Sequence, residues 1–264
     1  MPQLSLDCLC LTDTPPEEQV RAAAAAGFDL VSIWVAPPMF PRAGVNAGNL
    51  ADLNETMAQT GVKAHGVEVF DLVSDEALES YRPRLELAAA AGGKCAVLIN
   101  AANPEREEVV RLMAKFVPIA AEYGLVANFE PVYMGRTRTL AEGAALIADA
   151  GFAPDGPIGL TYDFLHAVRT GQTMADIRAI DPRLIRYVQV CDGAMFPTAE
   201  QQANEAIFLR PLPGQGEFPI AELMSAIPPH AIVAVECPDL ARLQSGASPQ
   251  VLARDAMAAL AAFL

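Results

Sequence analysis

The 264-residue sequence predicts a single closed (β/α)8 TIM barrel that spans residues 1–264. Eight short apolar runs alternate with eight stretches rich in Ala, Leu and Glu, and such strict alternation indicates a parallel barrel more readily than an open sheet. About 250 residues is the usual size of this fold. No Pro/Gly/Ser-rich linker separates two halves, and 52% of the residues are hydrophobic, enough for a large core. One domain is therefore expected.

The order of the elements comes from the positions of these runs and stretches. The predicted strands cover residues 3–11, 29–36, 62–70, 94–100, 125–131, 157–163, 185–192 and 231–238. The predicted helices cover residues 15–26, 47–60, 75–91, 104–123, 140–150, 173–180, 219–227 and 249–263. The longest interruption is 193–218, and a loop of that length is usually functional, either as a lid or as a dimer contact.

Local chemistry supports several helix ends. Thr14 and Thr139 each precede a glutamate by three residues, the pattern of a capping box. Asn103-Pro104 and Ser248-Pro249 place a cap before a proline at the first helical position, where the missing N–H costs nothing. Four glycines are expected to end helices in the left-handed conformation: Gly27, Gly61, Gly92 and Gly124.

Charge and cysteine content narrow the class of protein. The net charge of −14, without a Lys/Arg cluster, argues against nucleic-acid partners and anionic membranes. No apolar run is long enough to span a bilayer and no secretory signal is present, so a cytoplasmic protein is expected. Five cysteines without CxxC pairs predict no disulfide. Cys191 is interpreted as a buried thiol, with a reactive nucleophile as the alternative.

Four polar residues stand at the C-terminal ends of the last four predicted strands: Glu130, Asp163, Gln189 and Glu236. In a TIM barrel this edge carries the active site, so the four side chains are expected to converge. Three carboxylates and one amide oxygen suit a hard divalent ion, Mg²⁺ or Mn²⁺, better than Zn²⁺. The alternative is four unrelated polar strand ends.

Three more residues are candidates for contacts with a ligand. His166 follows Asp163 by three residues and faces the same mouth, whereas His65 and His230 are interpreted as an interior and a surface residue. Arg210 precedes a Pro-Gly-x-Gly turn and supplies a cationic fork for a ligand oxygen. Trp34, the only tryptophan, ends the second strand, where it packs against a sugar face or fills the core.

These motifs resemble the xylose-isomerase-like TIM-barrel superfamily of sugar phosphate isomerases and epimerases. The resemblance covers nearly the whole chain and is strongest from Asn128 to Pro238, through Glu130-Pro131, Asp163-x-x-His166 and Glu236. It implies one divalent metal held by Glu130, Asp163, Gln189 and Glu236. Gln189 departs from the usual histidine of sugar epimerases, although an amide oxygen can still coordinate. Relatives that dehydrate 3-dehydroshikimate are similar in using Gln here, whereas the Arg210 motif is shared with epimerases.

The resemblance implies a sugar or polyol isomerase or epimerase that depends on Mn²⁺ or Mg²⁺. Glu130 and Glu236 would exchange the proton next to the carbonyl of a polyhydroxylated substrate, through an enediolate. His166 and Arg210 would orient oxygens or act as the acid. Two alternatives stay open: a dehydratase of the 3-dehydroshikimate or inosose type, and a non-catalytic metabolite-binding barrel or subunit. A homo-oligomer is also open.

Overall fold

The computed structural model describes residues 2–35, 39–102 and 104–264. Its eight strands form a closed, fully parallel barrel in sequence order, with Leu4 of the first strand paired to Val233 of the last. The predicted single-domain TIM barrel is therefore confirmed. The strands are β1 (Leu4–Leu6), β2 (Leu30–Trp34), β3 (Lys63–Asp71), β4 (Cys95–Ile99), β5 (Val126–Phe129), β6 (Ile158–Asp163), β7 (Ile185–Val190) and β8 (Ile232–Val235).

The described residues contain twelve α-helices outside the barrel. They are α1 (Pro16–Ala26), α2 (Leu50–Thr60), α3 (Asp75–Ser80), α4 (Arg82–Ala90), α5 (Arg106–Glu122), α6 (Leu140–Asp149), α7 (Phe164–Arg169), α8 (Met174–Arg178), α9 (Ala199–Glu205), α10 (Ile220–Met224), α11 (Leu240–Gln244) and α12 (Pro249–Ala261). The predicted helix 75–91 is thus two helices. Helices α7, α9 and α11 escaped prediction because five to seven residues are too few to show a helical period.

The first strand is much shorter than the predicted run 3–11. It ends at Leu6, and residues Cys8–Leu11 form a 3-10 helix. The Asp7 carboxylate accepts the backbone N–H of Leu9 at 3.1 Å and so turns the chain. The apolar residues after Asp7 are buried in this turn, which is why hydrophobicity alone made the strand look longer.

The predicted helix ends are partly correct. Thr139 forms its capping box with Glu142, and Ser248 caps α12, which begins at Pro249. Thr14 is not a cap, because Pro15 takes the N-cap position and α1 begins one residue later than expected. Asn103 lies outside the described residues. Pro104 is not helical, since Glu105 is still extended. The four helix-ending glycines all have positive φ, from 73° to 90° (Gly27, Gly61, Gly92 and Gly124).

Toward the N-terminal ends of the strands, three side chains of the barrel interior are uncharged: Ser5, His65 and Tyr187. Tyr187 lies within hydrogen-bond distance of Ser5, and the half-buried ring of His65 stacks on Tyr187 with centroids 5.8 Å apart. The charged groups of the interior therefore collect at the other end of the barrel.

His230 is exposed just before β8, as predicted. All five cysteines are buried and free, and no helix in the described ranges is long and apolar enough to cross a bilayer.

Candidate active site

The four predicted strand-end residues meet at the C-terminal mouth of the barrel. Glu130 and Glu236 directly follow β5 and β8, Asp163 ends β6, and Gln189 lies near the end of β7. All four are buried. Gln189 donates its amide N–H to Glu236 at 3.0 Å. The strand ends therefore converge, whereas their role as metal ligands stays a prediction.

Arg210 lies between two of these carboxylates. Its Nη1 donates to Asp163 at 2.8 Å and to Glu236, while its Nε and Nη2 donate to the carbonyls of Glu205 and Ala206, each at 2.8 Å. Burial alone would lower the pKa of Arg210, but Glu236 and Asp163 raise it well above its usual value. The sequence suggested a fork open to ligands. In the structure Arg210 is a permanent charge engaged mainly with the protein itself.

The loop that carries Arg210 is fixed by Asp192. Its two carboxylate oxygens accept four backbone N–H groups, those of Gly193, Gly214, Gly216 and Phe218, at 2.8–2.9 Å. Gly214 has a φ of +85°, and a Cβ on Gly216 would lie 2.6 Å from the backbone nitrogen of Gly193. The glycines of the Pro-Gly-x-Gly turn are thus needed so that the backbone can wrap closely around the Asp192 carboxylate.

His166 faces the same mouth as predicted. Its Nε2 lies 3.3 Å from Glu130 and 3.8 Å from Asp163, and its buried Nδ1 has no hydrogen-bond partner among the described residues. Asp163 also starts helix α7, because its Oδ1 accepts the backbone N–H of Leu165 at 2.6 Å. Burial would raise the pKa of Asp163, but Arg210 and His166 outweigh it and lower that pKa to about 2. The Asp163 carboxylate is therefore ionised.

Two acidic residues that the sequence did not single out complete the mouth. Asp7 follows β1 and lies 3.4 Å from the amide nitrogen of Gln189. Glu68 lies within β3, and no group in the described part of the chain bonds its buried Oε1. Burial raises the pKa of Asp7, Glu68 and Glu236. The signal that the sequence offered for Asp7 and Glu68 was an acidic residue at the end of, or inside, an apolar run. It was hidden for Asp7 by the overlong strand prediction.

The donor set fits a divalent cation. Ligand atoms of Glu130, Asp163 and His166 lie within 4.8 Å of one another, and so do those of a second group, Asp7, Cys8 and Glu68. At this mouth one buried arginine, Arg210, faces the five buried carboxylates described above: Asp7, Glu68, Glu130, Asp163 and Glu236. A cation would offset this excess of negative charge. Within the described ranges the buried Oε1 of Gln189 also lacks a hydrogen-bond partner, so this neutral oxygen is available to a cation.

A cavity of about 330 Å³ opens at the C-terminal mouth of the barrel, a size suited to a small molecule. Its polar lining consists of Glu68, Glu130, His166, Arg210 and Glu236. Trp34 also lines the cavity and packs against Phe40, with ring centroids 6.2 Å apart. A second cavity, of about 470 Å³, lies on the other side of Arg210 and contains none of the four strand-end residues.

Cys191 lies next to β7 but does not behave as a nucleophile. Its side chain is fully buried. Burial raises the pKa of the thiol to about 12. A thiol that stays protonated near neutral pH is a poor nucleophile, so Cys191 belongs to the packing of the barrel.

Comparisons with known proteins agree with this architecture. A family model described as xylose isomerase-like TIM barrel matches residues 20–262. The fold is similar to that of the IOLI protein with a bound zinc atom, at 17% identity and a TM-score of 0.80 over 100% of this chain and 98% of that one. D-psicose 3-epimerase from Clostridium cellulolyticum H10 shows 15% identity and a TM-score of 0.74, with 100% and 98% covered.

A third similar structure is a xylose isomerase-like TIM barrel/4-hydroxyphenylpyruvate dioxygenase fusion protein. It shows 22% identity and a TM-score of 0.81, and the match covers 98% of this chain but 42% of the fusion. At these identities the likeness establishes the fold alone. No curated protein sequence matches the chain.

Proposed function

We propose that this chain, which belongs to the xylose isomerase-like TIM-barrel family, is a divalent-metal-dependent isomerase or epimerase of a sugar or polyol. The observation that carries the proposal is the pair Glu130 and Glu236, which line one small-molecule cavity together with His166. Two carboxylates in one cavity can remove and return a proton on a bound substrate. The epimerase and the zinc-bound protein among the similar structures support the same reading.

Four side chains would hold the metal: Glu130, Asp163, Gln189 and Glu236. A bound Mg²⁺ or Mn²⁺ supplies Lewis acidity, which makes a hydrogen next to a carbonyl easier to remove. Arg210 prepares this site, because its contacts with Asp163 and Glu236 fix both carboxylates in place. The unpartnered oxygen of Gln189 supplies the fourth donor.

The proton chemistry is assigned to the two glutamates and His166. Glu236 lines the cavity and is held by Gln189 and Arg210, so its carboxylate is fixed where it can take a proton from a bound substrate. On the other side, the 3.3 Å contact of His166 with Glu130 allows this pair to pass a proton between them. Arg210 holds its charge too tightly to act as an acid. His166 is therefore the acid in this proposal.

A dehydratase is the second candidate. After the same proton removal, loss of a β-hydroxyl would give a dehydrated product, and that step needs an acid beside the leaving oxygen. His166 suits this role, because it lines the cavity and its Nδ1 has no hydrogen-bond partner. The two candidates differ in product, not in the first step.

The test is deuterium incorporation in D₂O with a panel of ketoses and inososes, in the presence of Mg²⁺ or Mn²⁺. An isomer or epimer formed in D₂O should carry deuterium on the carbon that accepts the returned proton, whereas a dehydrated product has lost the α-hydrogen and the β-hydroxyl as water and is recognised by its lower mass. Glu130→Gln and Glu236→Gln should each lower turnover by at least ~10²-fold, the low end of what a positioned acid or base contributes.

The matched control is Glu86→Gln, because Glu86 is exposed on α4, far from the mouth. It should keep wild-type turnover. A proton relay shielded from solvent could hide the label, so the comparison of variants carries the decision. Near-normal turnover in both mouth variants, with metal retained, would overturn the proposed mechanism.

A further inference from the structure

We propose that this cavity selects uncharged polyhydroxylated carbonyl compounds and rejects phosphorylated sugars and sugar acids. The inference rests on the proposed function for the polyhydroxylated carbonyl class. The selection by charge follows from the cavity lining itself.

The first step is that the cavity offers little free positive charge. Among the described residues that line it, Arg210 and His166 are the only side chains that can be cationic. Arg210 is 4% exposed and already donates to Asp163, Glu236 and two backbone carbonyls. His166 has its Nε2 beside Glu130. A phosphate or carboxylate would compete with Asp163 and Glu236 for Arg210 and with Glu130 for His166, and an acid that lost its partner would be left buried and unpaired.

The second step is that the lining is acidic. Glu68, Glu130 and Glu236 line the cavity, and the carboxylates of Asp7 and Asp163 lie at the same mouth. One arginine and one divalent ion together do not balance five carboxylates. Like charges in a desolvated site repel strongly, so an anionic substrate is disfavoured.

The third step is that a neutral sugar matches the remaining lining. The Trp34 ring offers an apolar face, and the walls are completed by apolar side chains: Met39, Val69, Val132, Met134 and Ile207. Glu68 presents a carboxyl group among them with one oxygen that no group of the described residues satisfies. Sugar hydroxyls both donate and accept hydrogen bonds, so they can pair with carboxyl groups and with His166 without adding charge. Aromatic and apolar surface covers the C–H face of such a ligand.

The experiment uses Trp34, the only tryptophan, as the reporter of binding. D-fructose and D-fructose 6-phosphate are titrated in Mg²⁺ buffer at low ionic strength, where screening is weak. The phosphate should bind wild-type protein at least ~10-fold more weakly than the free sugar, the effect of one unfavourable charge contact. Equal or tighter binding of the phosphate would overturn the inference.

A matched pair of variants tests the cause. Val69 lines the cavity and is 38% exposed, so a long side chain fits there without disturbing the core. Val69→Lys adds a cation, and Val69→Gln adds a neutral chain of similar length. Fructose 6-phosphate should bind V69K at least ~10-fold more tightly than V69Q, with a smaller difference for fructose. If fructose 6-phosphate binds V69K and V69Q with the same affinity, the proposed charge selection is contradicted. This comparison decides the matter even when wild-type protein binds neither sugar measurably.

Failure here is distinct from failure of the proposed function, because fluorescence needs no turnover. A preference for neutral ligands without deuterium incorporation would preserve the charge inference and remove the isomerase. Deuterium incorporation into a phosphorylated substrate that binds tightly would support the isomerase and contradict the charge inference.

Discussion

Asp192 and Glu68 are both buried acids near the barrel mouth, yet their surroundings differ completely. The Asp192 carboxylate accepts four backbone N–H groups of the loop that carries Arg210. Glu68 lines the cavity and has one buried oxygen without a partner. Buried polar groups that are fully paired stabilise a fold, whereas unpaired ones are costly and need another explanation. Between these two acids, the number of hydrogen-bond partners, more than burial, marks Glu68 as the one available to a ligand.

Gln189 shows the same division within one side chain. Its amide nitrogen lies 3.0 Å from Glu236 and 3.4 Å from Asp7, so this end is engaged with the protein. Its amide oxygen is buried without a partner. The paired end orients the side chain, and the unpaired end is the donor that we assign to the metal.

The largest expected effect on stability comes from Asp192. Asp192→Ala leaves four backbone N–H groups without their acceptor, two of them buried (Gly193 and Phe218). Charged hydrogen bonds contribute about 1.5–3 kcal/mol each, so we expect a loss of at least ~3 kcal/mol in the free energy of unfolding. Urea unfolding measures this. Asp155→Ala, at an exposed turn residue, is the control and should change little. A loss below ~1 kcal/mol for Asp192→Ala would contradict the structural role.

The sequence predicted the parts of the site that depend on a single strand. Glu130, Asp163, Gln189 and Glu236 each follow or end an apolar run, so the geometry of a parallel barrel was enough to bring them together. Their oxygen donors predicted a role as metal ligands, and the family resemblance implied the same role.

Contacts between distant segments were beyond the sequence. The pairing of Arg210 with Asp163 depends on the path of a 26-residue loop, from 193 to 218, whose course is set by the Asp192 contacts rather than by a local pattern. Glu68 was missed for a related reason. Its place in an apolar strand marks it as a buried acid, but only the closed barrel shows that it faces Asp7 and the cavity.

The next effect in size concerns metal binding at the four proposed ligands. Mg²⁺ or Mn²⁺ should raise the free energy of unfolding of wild-type protein by ~2.7 kcal/mol at a hundred times its dissociation constant. Elemental analysis should find up to one ion per chain. Gln189→Ala should weaken the ion's affinity by at least ~10-fold, as removal of groups that support a metal does. Glu86→Gln should bind as wild type.

Gln189→His tests the same donor by its chemistry. Imidazole favours Zn²⁺ and Co²⁺ over the hard ions that suit an amide oxygen, so the preference should move towards those metals. Competition between Mg²⁺ and Zn²⁺ in equilibrium dialysis measures the change. Unchanged selectivity in Gln189→His, together with unchanged affinity in Gln189→Ala, would remove Gln189 from the set of metal ligands.

The smallest expected effect is a gain in stability from Glu68→Gln in metal-free protein. Burial raises the pKa of Glu68 above its ordinary value of 4.5, so folding costs free energy once the pH is high enough for the unfolded chain to release this proton. The contribution of Glu68 to stability is therefore fully present below pH 4.5 and is lost as the pH rises through the folded pKa. Glutamine does not titrate, and its amide can donate to Asp7.

Glu68→Gln should consequently match wild-type stability near pH 4 and exceed it by about 1 kcal/mol at pH 8, the lower end of the cost of an uncompensated buried polar group. Urea unfolding at several pH values, with chelator present, gives the difference. Glu86→Gln should show no such dependence on pH, because Glu86 is exposed. If the difference in stability between Glu68→Gln and wild type does not change with pH, or if wild type is the more stable at pH 8, the folded protein stabilises the Glu68 carboxylate, as it does that of Asp192. That result would end the distinction drawn between the two acids, whereas the expected result would identify Glu68 as a group kept at the cost of stability for the ligand it contacts.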